Sequence, residues 1–172
     1  MLCVLVCFPL EKEVRVSAAS VIGMQFPREK DMSAYLMVFH KDEDHGLHMA
    51  ISPDGYTFTA LNEGKPVIAG DTIAEQKGIR DPHIFRGPDG AFYLSMTDLH
   101  IYAQRDGYRD TEWERDGKEY GWGNNRGLVL MKSWDLIHWK RTNLRFDKLS
   151  AAYSEVGCAW APEVTYDDKK ES

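Results

Sequence analysis

Two carboxylates in this 172-residue chain stand in settings suited to acid–base chemistry. Asp81 lies in Gly78-Ile79-Arg80-Asp81-Pro82-His83-Ile84, and Glu163 lies in Trp160-Ala161-Pro162-Glu163-Val164. Each adjoins a proline and opens a short apolar run. Proline fixes φ and removes an N–H donor, which a strand tolerates at its first residues or at a rim. Carboxyl groups brought to one opening raise each other's pKa, and a raised pKa lets a general acid keep its proton near neutral pH. Cleavage of a glycosidic bond uses such a pair across the scissile bond.

For that chemistry the two runs must reach one place. Most apolar clusters are short, rich in aromatic and β-branched residues, and bounded by Gly, Pro and Asp. Examples are residues 34–39, 83–85, 91–96 and 127–131. They read as strands. Arg86-Gly87-Pro88-Asp89-Gly90 between two of them reads as a hairpin turn, with Asp89-Gly90 supplying tolerance of positive φ. No long amphipathic helical stretch stands out, so the fold is expected to be nearly all β.

The strands repeat. Residues 46–58, from Gly46-Leu47-His48 to Ser52-Pro53-Asp54-Gly55 and Phe58, align with 127–139, from Gly127-Leu128-Val129 to Ser133-Trp134-Asp135 and Trp139. Nearly the same offset sets Asp81-Pro82-His83-Ile84 against Ala161-Pro162-Glu163-Val164, and Ala91-Phe92-Tyr93-Leu94 falls over Ala34-Tyr35-Leu36-Met37. Serial four-stranded antiparallel units predict β-propeller blades, each needing neighbours packed on its faces. One unit is expected to run from Asp81 to an aromatic end at Trp139. The first strand of each blade lines the central channel, so Asp81 and Glu163 are expected near one end of it. The Ser-x-Asp segments read as structural turns.

Composition excludes several other classes. With 43% hydrophobic residues the chain is neither a disordered tail nor a fibre. A net charge of −6 argues against a nucleic-acid partner. No run of about 20 apolar residues is present to span a membrane. Cys3, Cys7 and Cys158 form no C-x-x-C pair, so no disulfide scaffold or zinc ribbon is implied. His40, His45 and His48 lack metal-site spacing, and no metal or other cofactor is expected.

Arg80-Asp81-Pro82, then Asp89-Gly90 and Phe92-Tyr93-Leu94, then Trp160-Ala161-Pro162-Glu163-Val164 about 80 residues on, resemble glycoside hydrolase family 43. The resemblance covers roughly residues 34–168. It implies a five-bladed propeller that removes arabinofuranosyl or xylosyl units from plant polysaccharides with inversion. It further implies Glu163 as general acid and Asp81 as the residue that tunes pKa and orients substrate. It also implies an oligosaccharide or polysaccharide partner and a secreted or periplasmic location. The general base implied for the first blade falls near Met24, where Gln25 is close but no carboxylate stands. Two other readings follow. The missing base suits a non-catalytic carbohydrate-binding propeller, while Arg-Asp-Pro and the Asp turns also suit an invertase- or sialidase-like hydrolase.

Substrate-binding candidates surround the pair. Arg80, His83 and Trp160 flank the two carboxylates. Asp98 and Trp122 lie toward either end of a long loop carrying Tyr102, Tyr108, Trp113 and Tyr120, whose rings could stack on sugars. Residues 1–20 begin with the apolar stretch Met1–Leu10 and read as an edge strand or a signal remnant. Residues 21–172 read as a partial propeller of about two blades plus one inner strand, cut short at the C-terminal side. Such an open stack leaves strand edges unpaired, and the isolated chain is expected to be poorly soluble or inactive.

Overall fold

A computed structural model describes residues 28, 30, 32–108 and 125–167. The described chain is nearly all β. Strands β1 (Tyr35–His40), β2 (Leu47–Ser52) and β3 (Thr59–Ala60) form one antiparallel sheet. Strands β4 (Ile79–Arg86), β5 (Phe92–Asp98), β6 (Gly127–Ser133) and β7 (Trp139–Arg145) form a second, in simple up-and-down order. Two four-residue helices, α1 (Gly70–Ile73) and α2 (Phe146–Leu149), lie in connections. None of the helices among the described residues is long and apolar enough to cross a membrane. The second sheet is a four-stranded propeller blade, and the first supplies three strands of the blade before it.

The repeat in sequence is a repeat in hydrogen bonding. After β2, Ser52 Oγ accepts from the N–H of Asp54 (3.3 Å) and Gly55 (2.9 Å), while Asp54 Oδ1 accepts from Tyr56 N–H (2.9 Å) and Thr57 N–H (3.0 Å). After β6, Ser133 Oγ and Asp135 Oδ1 make the same four bonds to Asp135, Leu136, Ile137 and His138. Gly55 has φ 76°, and Leu136 adopts φ 64° in its place. The backbone N–H groups of Thr57 and Tyr56, helped by the Ser52 hydroxyl, lower the Asp54 pKa to about 2. The His138 ring and the backbone N–H groups of His138 and Ile137 hold Asp135 well below the usual carboxylate range. Ser133 is buried, and Ser133→Ala strips its oxygen from two N–H groups. The expected loss is about 1 kcal/mol in a denaturant titration, and an unchanged midpoint contradicts the structural reading of this turn.

Period-two alternation sorts the blade's two faces. Leu94 and Met96 of β5, with Val129 and Met131 of β6, face the first sheet. There they meet Leu47, Met49, Ile73, Ala74 and Ile79 in the main core. On the opposite face Leu128, Leu144 and Phe146 pack with Leu130, Val156 and Ala159. The blade is thus apolar on both faces, as face-to-face stacking requires.

Two boundaries differ from expectation. The unit does not end at Trp139: β7 begins there and runs to Arg145. Its middle, Lys140-Arg141-Thr142-Asn143, is polar because an edge strand faces water, so it carries no apolar signal. Glu163 lies in an extended segment, not in a hydrogen-bonded strand. The turn at residues 86–90 matches expectation, with Gly90 at φ 82° and its N–H bonded to Gly87 O at 2.9 Å.

Candidate functional site

The bonds of β4 to β5 are interrupted between Arg80 and His83, a β-bulge centred on Asp81-Pro82. Asp81 has φ 47°. A non-glycine residue there is uncommon, and one preceding proline is disfavoured in helical conformations as well. Such strain persists only where neighbours over-determine it, and it clusters at functional sites. The bonds to Asp81 come from two strands, and one of them continues to a third part of the chain. From β1, His40 Nδ1 accepts the Asp81 N–H at 3.1 Å. From β5, the Thr97 hydroxyl donates to Asp81 Oδ2 at 3.1 Å. Thr97 Oγ1 in turn accepts the Ala161 N–H at 2.9 Å.

Ala161 has the same φ of 47° and also precedes a proline. The aligned pairs Asp81-Pro82 and Ala161-Pro162 thus share a left-handed φ at the residue before proline. The chain from Ala161 to Tyr166 runs alongside β4 in the same direction. Ser95 Oγ donates to Pro162 O at 2.9 Å, the Val164 N–H donates to His83 Nδ1 at 3.2 Å, and residues 164–166 reach the level of Phe85. Two neighbouring segments that run the same way from one end match the placement expected of adjacent inner segments around a channel. Glu163 is exposed, and its side chain has no partner among the described residues.

The remaining expected residues take varied places. Arg80 donates to Asp42 Oδ1 at 2.5 Å. His40 Nε2 lies 3.6 Å from the same carboxylate, so Asp42 braces the site and is held below its ordinary pKa by the Arg80 bond. Burial, then the nearby Arg80 charge, lower the His40 pKa, preserving the neutral ring whose Nδ1 lone pair receives the Asp81 N–H. The ring's proton then sits on Nε2, so His40 has no lone pair left to activate water. His83 is half-buried and committed to Val164. Trp160 is 47% exposed, available for a ring to stack on.

Asp98 departs from a substrate-contact role. It is 1% exposed, and its two oxygens accept the N–H groups of Glu75 (2.9 Å) and Gln76 (2.8 Å). Alternation puts it on the core face with Leu94 and Met96, away from Ser95 and Thr97. Burial raises its pKa to about 6, against the lowering by those two N–H donors. It anchors the connection between the sheets. Tyr102 meets the His45 ring edge-on and the Arg105 guanidinium at 4.1 Å, and Tyr108 leans on His100. Tyr102 thus packs between its own loop and the β1–β2 connection, and Tyr108 packs on its own loop. Trp122, Trp113, Tyr120, Met24 and Gln25 lie outside the described residues.

Sequence reasoning missed His40, Asp42 and Thr97. None carries a local motif, because each reaches Arg80 or Asp81 through the fold. A cavity of about 270 Å³ opens at the far end of β4, between Phe85, Tyr93 and Val164–Tyr166. It is remote from Asp81 and is lined mainly by apolar groups, so the acid chemistry is not placed there.

The family described as "Probable glycosyl hydrolase domain", related to glycoside hydrolase family 43, matches residues 30–172. Comparison with curated proteins gives no match, and comparison with solved structures gives none.

Proposed function

Because the chain belongs to the family described as a probable glycosyl hydrolase domain, we propose that it hydrolyses O-glycosidic bonds, taking arabinofuranosyl or xylosyl units of plant polysaccharides as substrates. The observation that carries this reading is the strained Asp81, held by His40 and Thr97, with Thr97 also bonded to the segment bearing Glu163, whose side chain has no partner among the described residues. Glu163 acts as general acid and gives its proton to the departing sugar oxygen. Asp81 orients the substrate and tunes the acid. Water attacks the anomeric carbon from the opposite face and gives up its proton to bulk water, from which Glu163 is reprotonated, so configuration inverts and the proton count closes. Arg80, His83 and Trp160 border the bound sugar. A polysaccharide substrate accords with a secreted or periplasmic protein.

The test is direct. The protein is incubated with 4-nitrophenyl α-L-arabinofuranoside, with the β-D-xylopyranoside and with arabinoxylan, and proton NMR follows the first anomer released. Inverted arabinose or xylose is expected. A retained anomer overturns the mechanism. Binding of the oligosaccharide without turnover replaces it with a carbohydrate-binding propeller, the reading that the empty position at Met24 supports.

A further inference from the structure

We propose that Ser95, Thr97 and His83 form a docking template that sets the register of the Glu163 segment against Asp81, with Thr97 as the positioning residue of the acid pair. The positioning role rests on the proposed assignment of Asp81 and Glu163, while the docking itself does not.

The segment beyond Ala161 is not joined to the blade by a backbone ladder. Side chains hold it instead. Ser95 and Thr97 sit two residues apart on β5, so both project from the same face. They are 1% and 0% exposed. His83 pairs with Ser95 across β4 and β5 and takes the next contact along. The three bonds, to Ala161 N–H, Pro162 O and Val164 N–H, bracket Glu163 on both sides.

The chemistry fixes the sense of each bond. Pro162 offers only a carbonyl, so Ser95 must donate. The Ala161 N–H can only donate, so Thr97 must accept. The Thr97 hydroxyl proton is then free for Asp81 Oδ2. One buried oxygen therefore touches the Asp81 carboxylate and the backbone two residues before Glu163. A shift of either segment breaks one of its bonds, and a buried group that loses its partner costs stability. The relative placement of the carboxylates is coupled through this atom. A displacement of about 1 Å in such a pair can cost of the order of a hundredfold in rate.

The experiment uses Thr97→Val, which keeps the shape and deletes the hydroxyl, and Thr97→Ser, which keeps the hydroxyl. Hydrogen exchange is read on a peptide spanning 159–165, and kcat and KM are read on 4-nitrophenyl α-L-arabinofuranoside. In Thr97→Val, exchange in that peptide is expected to rise about tenfold or more, the equivalent of one lost bond, while β4–β7 stay protected. The value of kcat falls tenfold or more with little change in KM, and Thr97→Ser restores both. Unchanged exchange overturns the template. Faster exchange with unchanged kcat overturns the positioning role. If the wild type turns over no glycoside while exchange still rises in the variant, the acid pair and the positioning role fall and the docking stands. If Thr97→Val unfolds the whole blade, Ser95→Ala reads the same peptide: faster exchange confined to 159–165 supports the template, and unchanged exchange overturns it.

Discussion

Glu163→Gln is expected to lower kcat/KM on glycosides with sugar or alkyl leaving groups by about 10²–10⁴, the usual contribution of a general acid. The amide keeps the size of the side chain but has no proton to give. Glu163 is exposed and makes no side-chain bond among the described residues, so the substitution removes no structural contact. Melting temperature and near-ultraviolet circular dichroism should match the wild type. Full activity in the variant removes Glu163 from the mechanism.

The second large effect is on stability against pH, and it sets two buried groups against each other. His45 is 1% exposed and stacks on His100 with ring centres 3.9 Å apart. Its Nε2 accepts the Ile101 N–H at 3.2 Å. Burial, then the His100 and Arg80 charges, lower its pKa to about 4, with Asp42 opposing and His40 adding to the lowering. The unfolded chain therefore takes up this proton at a higher pH than the folded one. The contribution of His45 is full above pH 6.5 and is lost as pH falls toward 4. The lowered pKa values of His40 and His100 act in the same direction.

Asp98, raised to about 6, works the other way. The folded state takes up its proton first, so its contribution is full below the ordinary carboxylate pKa and is lost as pH rises through 6. The departure of each group from its ordinary pKa corresponds to roughly 3 kcal/mol, so the two partly cancel in the protein. Asp98→Asn removes the opposing group. It also gives the Glu75 and Gln76 N–H groups one acceptor in place of two, lowering stability at every pH by about 1–3 kcal/mol. Denaturant midpoints between pH 6.5 and 4 should fall more steeply in Asp98→Asn than in the wild type. Parallel curves contradict the opposition of the two groups.

Much of this architecture is legible in the residues. Ser52-Pro53-Asp54-Gly55 and Ser133-Trp134-Asp135 announce turns because a short hydroxyl and a carboxylate reach the backbone only two and three residues away. Asp89-Gly90 marks the β4–β5 turn for a similar reason. Strand β7 is hidden because its polar middle faces water. Asp98 was readable, since alternation from Leu94 through Met96 carries it to the core face, although its place at the start of an aromatic-rich loop suggested a substrate contact. The approach of His40 to Asp81 spans 41 residues, and that of Thr97 to Ala161 spans 64. No local pattern encodes such contacts. They arise where consecutive blades meet, which is also where Asp81 acquires its strained backbone.

The claim that Glu163 protonates the leaving group is tested most directly by leaving-group dependence. For wild type and Glu163→Gln, kcat/KM is measured over aryl arabinofuranosides running from 4-methoxyphenol to 2,4-dinitrophenol. Dinitrophenolate departs without protonation and needs no acid. The wild type is expected to show a shallow dependence on leaving-group basicity. The variant should show a steep one, losing most activity on methoxyphenol and little on dinitrophenol. An equal loss across the series would contradict the role given to Glu163.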